Sequence, residues 1–289
     1  MKYLIRVNKL LVLGILIFYA GSNAYSQSGG TSLKFDFGDG DKISDGFIKV
    51  NPKTIFDDKA GYGFDFGSNV SAVINSNKDV IGDYITADKP FYFSVKEPEG
   101  NYKVTVTLGD SKGGSMTTIR AESRRLMAEK VKTENGEIKK ISFIVNIRNP
   151  KISTGGEVAR KPREFGKYDW DNKLTLEFND NHPCIDAVEI ERVDNQVTVF
   201  LAGNSTVVDQ DDEPWASWGQ MIPRFFKPGV AIADHAESGL IMLFLGLTGR
   251  LNVATSSGCD GSNRGISTKY FSIPKWFSFI PSITHLAIS

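Results

Sequence analysis

Helical periodicity, histidine and cysteine are all scarce in this sequence of 289 residues. Its two cysteines, Cys184 and Cys259, exclude a disulfide-dense scaffold. Their spacing from the three histidines matches no metal-binding motif, so we predict no metal and no cofactor. Cys184 lies in an apolar, strand-like run, which favours a buried thiol over a disulfide. Basic and acidic residues balance at 34 each, so no net field favours nucleic acid as a partner.

The N-terminus has the layout of a secretory signal peptide. Three basic residues, Lys2, Arg6 and Lys9, precede an apolar run at residues 10–20, and a small-residue stretch follows at 24–26. The apolar run is too short to cross a bilayer, although an uncleaved anchor is the alternative. We therefore predict a signal peptide at 1–26, a secreted or periplasmic location, and no stable membrane span after cleavage.

Short alternating strands separated by Gly, Asn, Asp and Pro fill residues 33–193. Tyr102, Val104, Val106 and Leu108 alternate with polar residues, which places the apolar set on one face of a strand. The same period recurs at Ile141, Phe143, Val145 and Ile147, and at Leu174, Leu176 and Phe178. This pattern predicts an all-β jelly-roll sandwich over residues 27–194.

A different pattern begins at about residue 195. Residues 197–202 form an apolar run typical of a parallel strand covered on both faces, and Gly203 to Thr206 interrupt it. Apolar residues spaced by three and four predict a helix over 215–226 that packs on a sheet, and 230–233 form a second strand. This order predicts that residues 195–240 begin a doubly wound α/β domain, whose ligands bind beyond the carboxyl ends of the strands.

Ser205 lies in the break after the first of these strands. A serine there projects its hydroxyl beyond the strand end, where backbone N–H groups of a helix N-terminus can stabilise an oxyanion. Gly203 allows a sharp turn and leaves room for an ester. Gly239, after the next strand, can offer a second backbone N–H. The motif alone leaves open an ordinary helix-capping role for Ser205.

Three segments resemble the first two conserved blocks of rhamnogalacturonan acetylesterases in the SGNH, or GDSL, hydrolase superfamily. They are residues 199–210 (VFLAGNSTVVDQ), 215–226 (WASWGQMIPRFF) and 235–239 (HAESG). The preceding region resembles the galactose-binding-like β-sandwich found in front of some of these enzymes.

The resemblance implies a carbohydrate O-acetylesterase that acts on an acetylated plant polysaccharide such as rhamnogalacturonan. It assigns Ser205 as the nucleophile and the N–H groups of Ser205 and Gly239 as oxyanion donors, with Gly203 and Asn204 supporting the first block. Asn204 stands where the family has Asp, so part of the hydrogen bonding would be kept while the charge is lost.

The group that would activate Ser205 is missing from the sequence pattern. A serine nucleophile needs a positioned base, which the family places in an Asp-x-x-His block after a Gly-x-Asn-Asp block. Neither block occurs here. His182 is predicted to lie in a loop and His235 to be structural, while Ser282 replaces Asp three residues before His285. The general base is therefore unassigned, and we expect impaired activity.

The composition changes again after residue 240. Residues 241–289 contain one acidic residue, Asp260, against 33 in the first 240. We predict that this tail is a frameshifted or artificial continuation, with a divergent or shortened domain as the rival interpretation. Two alternative functions stay open: a carbohydrate-binding or structural β-sandwich protein without activity, and a lipase-like SGNH esterase.

Overall fold

A computed structural model describes residues 32–74, 83–110, 112–152, 154–158 and 160–238, together with the backbone of three short strands in the tail. The predicted signal peptide and most of the tail lie outside the described residues. The strands are, in chain order, β1 Leu33–Phe37, β2 Ile48–Val50, β3 Tyr62–Asp65, β4 Ser71–Val73, β5 Tyr84–Thr86, β6 Phe91–Lys96, β7 Gly100–Gly109, β8 Ser115–Ala121, β9 Arg125–Thr133, β10 Ile138–Ile147, β11 Lys173–Asn179, β12 Cys184–Ile185, β13 Ala187–Arg192, β14 Val197–Leu201, β15 Val230–Asp234, β16 Leu243–Phe244, β17 Asn252–Ser256 and β18 Ile266–Tyr270.

Two five-stranded sheets form the first region. One has the order β10, β7, β13, β1, β2 and the other the order β3, β6, β11, β8, β9. Neighbouring strands in both sheets are antiparallel, apart from the parallel pair of β1 and β2. A smaller sheet has the order β12, β5, β4. The all-β fold predicted for this region is confirmed.

The core of the sandwich lies between the two large sheets and is rich in aromatic rings. Phe93 on β6 meets Phe35 and Phe37 on β1 of the opposite sheet, with ring centroids 5.1 and 4.9 Å apart in edge arrangements. The predicted alternation is confirmed on β7, where Tyr102 and Val104 are buried and Lys103 is exposed. The apolar rows of the other two strands are also buried: Phe143, Val145 and Ile147 on β10, and Leu174, Leu176 and Phe178 on β11.

The second region is built on two parallel strands. β14 pairs with β15 in a register that runs from Val197 opposite Val230 to Leu201 opposite Asp234. Between these strands a helix spans Trp218–Met221, and a 3₁₀ turn follows at Ile222–Phe225. The predicted order of strand, turn, helix and strand is therefore present. The doubly wound α/β domain that this order suggested stays a prediction, because the described residues of the second region contain one parallel pair, β14 with β15.

The helix is shorter than predicted and buries a different face. Trp218 and Phe225 of the expected apolar stripe are 48% and 73% exposed, so the prediction that this stripe packs on a sheet is wrong. Gly219 and Gln220 are buried instead. A Cβ at Gly219 would stand 2.1 Å from the Val207 carbonyl oxygen, so this close approach requires glycine. Pro223 has no backbone N–H to continue the α-helix, and the chain goes on as a 3₁₀ turn.

The described part of the tail contains β16, β17 and β18, which form an antiparallel sheet in that order. Cys259 and His285 lie outside the described residues. Within the described part of the chain, no helix is long and apolar enough to cross a bilayer.

Candidate active site

Ser205 lies in a tight turn that follows the carboxyl end of β14. The N–H groups of Val207 and Val208 donate to the carbonyl oxygen of Asn204 at 2.9 and 3.0 Å, which closes one helical turn around Ser205. The Ser205 side chain is exposed. This is the strand-end position that the sequence predicted, and a hydroxyl there can approach a ligand beyond the sheet.

The Asn204 side chain fixes the shape of this turn. Its Oδ1 accepts hydrogen bonds from the Thr206 N–H at 3.1 Å and from the Thr206 hydroxyl at 2.9 Å. An aspartate oxygen would accept the same two bonds, with a negative charge added. Asparagine therefore keeps the local geometry expected of the family residue and loses its charge.

Gly203 is required by packing inside the turn. A Cβ at this position would stand 2.4 Å from Cγ2 of Val207, whose side chain is buried between the strands and the turn. Any larger residue would push Val207 away and displace the backbone before Ser205. The sequence predicted a sharp turn and room for an ester at Gly203, and this packing contact with Val207 was not predicted.

The end of β15 lies beside the turn. The His235 N–H donates to the Leu201 carbonyl oxygen at 2.8 Å, and the Glu237 N–H donates to that of Gly203 at 3.1 Å. The two segments therefore continue side by side past the ends of β14 and β15, as far as Gly203 and Glu237. Gly239, the predicted second oxyanion donor, lies outside the described residues.

A cleft of about 400 Å³ opens beside Ser205. One wall comes from the second region and the other from the sandwich, mainly its long connection between β10 and β11. The lining residues include six acidic and three basic ones, Glu164, Asp169, Asp209, Asp211, Asp212, Glu237, Arg148, Arg163 and Lys167. No pattern in the sequence predicted that the sandwich would form one wall of this cleft.

Residues of the sandwich connection clamp the segment that leads to Gly239. Lys161 and Arg163 pair with the Glu237 carboxylate at 2.8 and 2.6 Å, and both also donate to the Ser238 carbonyl oxygen. Burial and a hydrogen bond to Glu237 raise the pKa of Glu164 to about 7. Burial would also raise the pKa of Glu237, but Glu164 and the two cations lower it below its ordinary value. Glu164 is therefore about half protonated near pH 7, and its protonated form donates to the Glu237 carboxylate.

A buried ion network lies behind the Ser205 turn. Asp209, four residues after Ser205, accepts from Arg125 at 2.7 Å and from Arg148 at 3.0 Å. Arg148 also pairs with Asp169 at 2.9 Å. All four side chains are at most 10% exposed. Removing one partner from such a network would leave a buried charge uncompensated, so the position of Asp209 depends on both arginines.

The carboxyls of this network outnumber its cations. Burial, opposed by Arg148, raises the pKa of Asp169 to about 6. Burial and the neighbouring charge of Asp209 raise the pKa of Asp234 to about 7. Burial also raises the pKa of Glu122 well above its usual range. Near neutral pH, part of this group is consequently protonated, which limits the number of unpaired negative charges inside the protein.

The turn between β8 and β9 inserts directly into the second region. The Ser123 hydroxyl donates to the Asp211 carboxylate at 2.8 Å. The Gln220 side-chain amide donates to the backbone carbonyl oxygen of Ser123 at 2.9 Å. Arg124 donates to the carbonyl oxygens of Gln210 and Trp215. Glu122 and Arg124 adopt positive φ angles of 52° and 62°, which non-glycine residues rarely do. Such backbone strain persists where surrounding contacts fix the conformation, as they do here.

The described histidines do not supply a base to Ser205. The His235 ring stacks on Phe200 at 5.8 Å and meets the edge of Trp170 at 5.9 Å. Burial and the charges of Arg148 and Arg125 lower its pKa to about 3, so the ring is neutral. His182 lies in the loop before β12 and pairs with Asp110. In the part of the chain that the structure describes, no side chain is hydrogen-bonded to the Ser205 hydroxyl.

Comparisons with known proteins agree with the fold of the first region. The family model described as beta-agarase/YXIM esterase-like, galactose-binding domain-like matches residues 33–135. The uncharacterized esterase YxiM of Bacillus subtilis (strain 168) is 24% identical over 245 residues, which are 80% of this chain and 57% of that protein. The chain thus spans a little over half the length of this relative.

Two solved structures illustrate the extent of structural similarity. The crystal structure of YxiM from Bacillus subtilis is 23% identical with a TM-score of 0.41, and the match covers 73% of this chain and 56% of that one. A family 35 carbohydrate-binding module from Clostridium thermocellum is 8% identical with a TM-score of 0.28, over 46% of this chain and 92% of the module.

Proposed function

We propose that this chain carries the nucleophile region of an exported carbohydrate O-acetylesterase of the SGNH type, with Ser205 as the nucleophile. The observation that carries this proposal is the position of Ser205, exposed in the turn after a parallel strand and facing a cleft. The matches to an esterase-like family and to a protein named as an esterase favour the same class. Because the chain spans 57% of that relative, the activity of the whole protein is part of the proposal.

In the proposed reaction the Ser205 oxygen attacks the acetyl carbonyl carbon and loses its proton to a base. The carbonyl oxygen becomes an oxyanion, and the N–H groups of Ser205 and Gly239 donate to it. The sugar hydroxyl then leaves with a proton, and water hydrolyses the acetyl-serine ester to release acetate. Asn204 maintains the turn that presents the nucleophile. The base is unassigned, so we expect the chain to be weakly active or inactive.

The charge of the cleft bears on the substrate. Six acidic residues and three basic ones line the cleft, and the acidic residues still outnumber the basic ones when Glu164 is protonated. The cleft would therefore repel a free uronate carboxylate, whereas an acetylated, uncharged part of a sugar meets no such repulsion. Acetylated rhamnogalacturonan is the leading substrate by sequence resemblance. We expect its acetyl-bearing portion to enter the cleft while free carboxylates stay outside.

Acetate release from acetylated rhamnogalacturonan by the purified chain tests this function. The control is Ser142→Ala, because Ser142 is a half-buried serine of the sandwich that is hydrogen-bonded to Thr105. Slow acetate release that disappears in Ser205→Ala and persists in this control would support the assignment. Unchanged release in Ser205→Ala would exclude Ser205 as the nucleophile. Faster hydrolysis of long-chain esters would favour a lipase-like enzyme, and robust turnover would overturn the expected impairment.

Carbohydrate binding by the sandwich without catalysis is the second candidate function. Two observations support this candidate. The sandwich has a continuous apolar core and is matched in part by a galactose-binding domain-like family model. In addition, the described residues supply no base to Ser205. Retention of the full chain and of Ser205→Ala on immobilised acetylated polysaccharide, with no acetate released by either, would favour this candidate. Loss of retention in both would count against it.

Export is proposed from the predicted signal peptide. A mature N-terminus near Gln27, measured by mass spectrometry of protein recovered outside the cytoplasm, would support it. An intact N-terminus on a protein kept inside the cell would overturn it.

A further inference from the structure

A second cluster of reactive side chains lies at the start of β12 and the end of β7. Asp110, His182 and Cys184 each offer one ligand atom, and these atoms all lie within 4.8 Å of one another. None of the three lines the cleft beside Ser205. Asp110 is more than 70 positions from the other two in sequence, which is why motif spacing predicted no metal site.

The geometry points to a binding site for a zinc-like divalent cation formed by Asp110, His182 and Cys184. Zinc is bound by cysteine sulfur, histidine nitrogen and carboxylate oxygen, with bond lengths of about 2.0–2.3 Å. A mixed set of this kind excludes magnesium and calcium as preferred ions, because these take oxygen ligands. Three protein ligands leave a fourth position for water or another small ligand.

Neighbouring contacts hold two of the ligands in place. The Lys112 N–H donates to Oδ1 of Asp110 at 2.6 Å, which leaves Oδ2 to face His182 Nε2 at 3.0 Å. The Met116 N–H donates to the Asn181 carbonyl oxygen and fixes the loop that carries His182. The His182 side chain is 44% exposed, so it can rotate to shorten its distance to an ion. Supporting hydrogen bonds of this kind orient the ligands of metal sites.

An unpartnered carboxylate oxygen beside the cluster gives independent support. Asp186 is 5% exposed, and its Oδ2 has no hydrogen-bond partner. Asp186 lies two residues after Cys184, and its backbone N–H donates to the carbonyl oxygen of Thr107 on β7, the strand that leads to Asp110. A buried polar oxygen without a partner is costly, and a nearby cation would offset that cost.

Cation binding would also change the state of the thiol. In the protein without the ion, the Cys184 thiol donates to the carbonyl oxygen of His182 at 3.5 Å. On binding, a metal–sulfur bond forms and the thiol proton passes to the solvent. Cys184 then serves as a thiolate ligand.

Titration of the full chain with metal tests the site directly. The purified protein is first assayed for bound zinc, then stripped with a chelator and titrated with Zn²⁺, Co²⁺ and Mg²⁺ by calorimetry. We expect Zn²⁺ and Co²⁺ to bind at one ion per chain, Mg²⁺ not to bind, and the Co²⁺ complex to show a thiolate-to-cobalt charge-transfer band. Zinc should also raise the melting temperature, because it binds the folded state.

Three single variants and a matched control separate this site from adventitious binding. His182→Gln, Asp110→Asn and Cys184→Ser should each weaken zinc binding at least about tenfold, and Cys184→Ser should abolish the thiolate band. The control Asp58→Asn removes an exposed carboxylate and should bind as the wild type does. His182 is partly exposed, so His182→Gln should fold even if the buried Cys184 variant does not. Wild-type affinity in His182→Gln, or a cobalt complex without the thiolate band, would overturn the proposal.

Discussion

The two regions of this molecule are stabilised in different ways. The sandwich has a large continuous core in which rings from opposite sheets meet, as Phe93 does with Phe35 and Phe37. The described core of the second region contains four buried apolar residues, Leu201, Val207, Ile232 and Ala236. Such a small core supplies little of the free energy needed to order its chain.

The second region compensates by binding the sandwich through polar groups. β15 lies beside β10, and the short helix lies beside β9. Arg125 and Arg148 of the sandwich hold Asp209, and the Ser123 turn bonds to Asp211 and Gln220. The turn that carries Ser205 therefore depends on the sandwich, and the candidate active site belongs to both regions.

Replacing Arg125 should lower the stability of the second region and leave that of the sandwich unchanged. Arg125→Met leaves Asp209 buried with one cation, and we expect a loss of roughly 3–5 kcal/mol confined to the second region. Hydrogen exchange should show β15 amides losing protection while β7 amides keep theirs. Lys34→Met is the control, because its pair with Glu189 is partly exposed and contributes about 0–1 kcal/mol. Equal loss of protection in both strands would show that the two regions unfold as one unit.

Asp234→Asn should change the pH dependence of stability. Burial raises the pKa of Asp234 from 3.8 to about 7, so the folded state holds this proton more tightly than the unfolded chain does. Its contribution is fully present below about pH 4 and is lost as the pH rises through about 7, at most about 4 kcal/mol in all. The Asn variant cannot ionise and should show a flatter stability profile between about pH 4 and pH 8.

Chemical denaturation at several pH values measures this slope. Asp58→Asn is the matched control, since its carboxylate is 85% exposed, and it should retain the slope of the wild type. Asp169, whose pKa is raised to about 6, remains in both proteins and should leave a smaller slope in the Asp234 variant. A slope in Asp234→Asn equal to that of the wild type would contradict the assignment.

The sequence predicted what periodicity can encode. Alternation identified the buried faces of β7 and β10, and the Gly-Asn-Ser-Thr break located the Ser205 turn at the end of a strand. The predicted helix over 215–226 is too long, because Ser217 caps its start and Pro223 follows its end, and apolar spacing alone marks neither boundary.

The interface escaped prediction because its partners are distant in sequence. Arg125 and Asp209 are 84 positions apart, and charged residues are ordinarily expected at the surface. Glu122, Ser123 and Arg124 lie in the turn after β8, and Arg125 begins β9. This run of four polar residues is buried, although its composition favours exposure. The resemblance of the sequence to the acetylesterase blocks directed attention to the Ser205 turn, but it carried no information about the sandwich residues that line the cleft.

Gly203→Ala distinguishes a packing role from a ligand role within the second region. The added Cβ would stand 2.4 Å from Val207 Cγ2, so we expect a loss of about 1–3 kcal/mol, measured by hydrogen exchange of β14 and β15. A double-mutant cycle with Val207→Ala is the control, because that background removes the clashing methyl groups. The alanine at position 203 should then cost less than it does in the wild type. Full stability in Gly203→Ala would instead mean that the glycine serves only to leave room for a substrate.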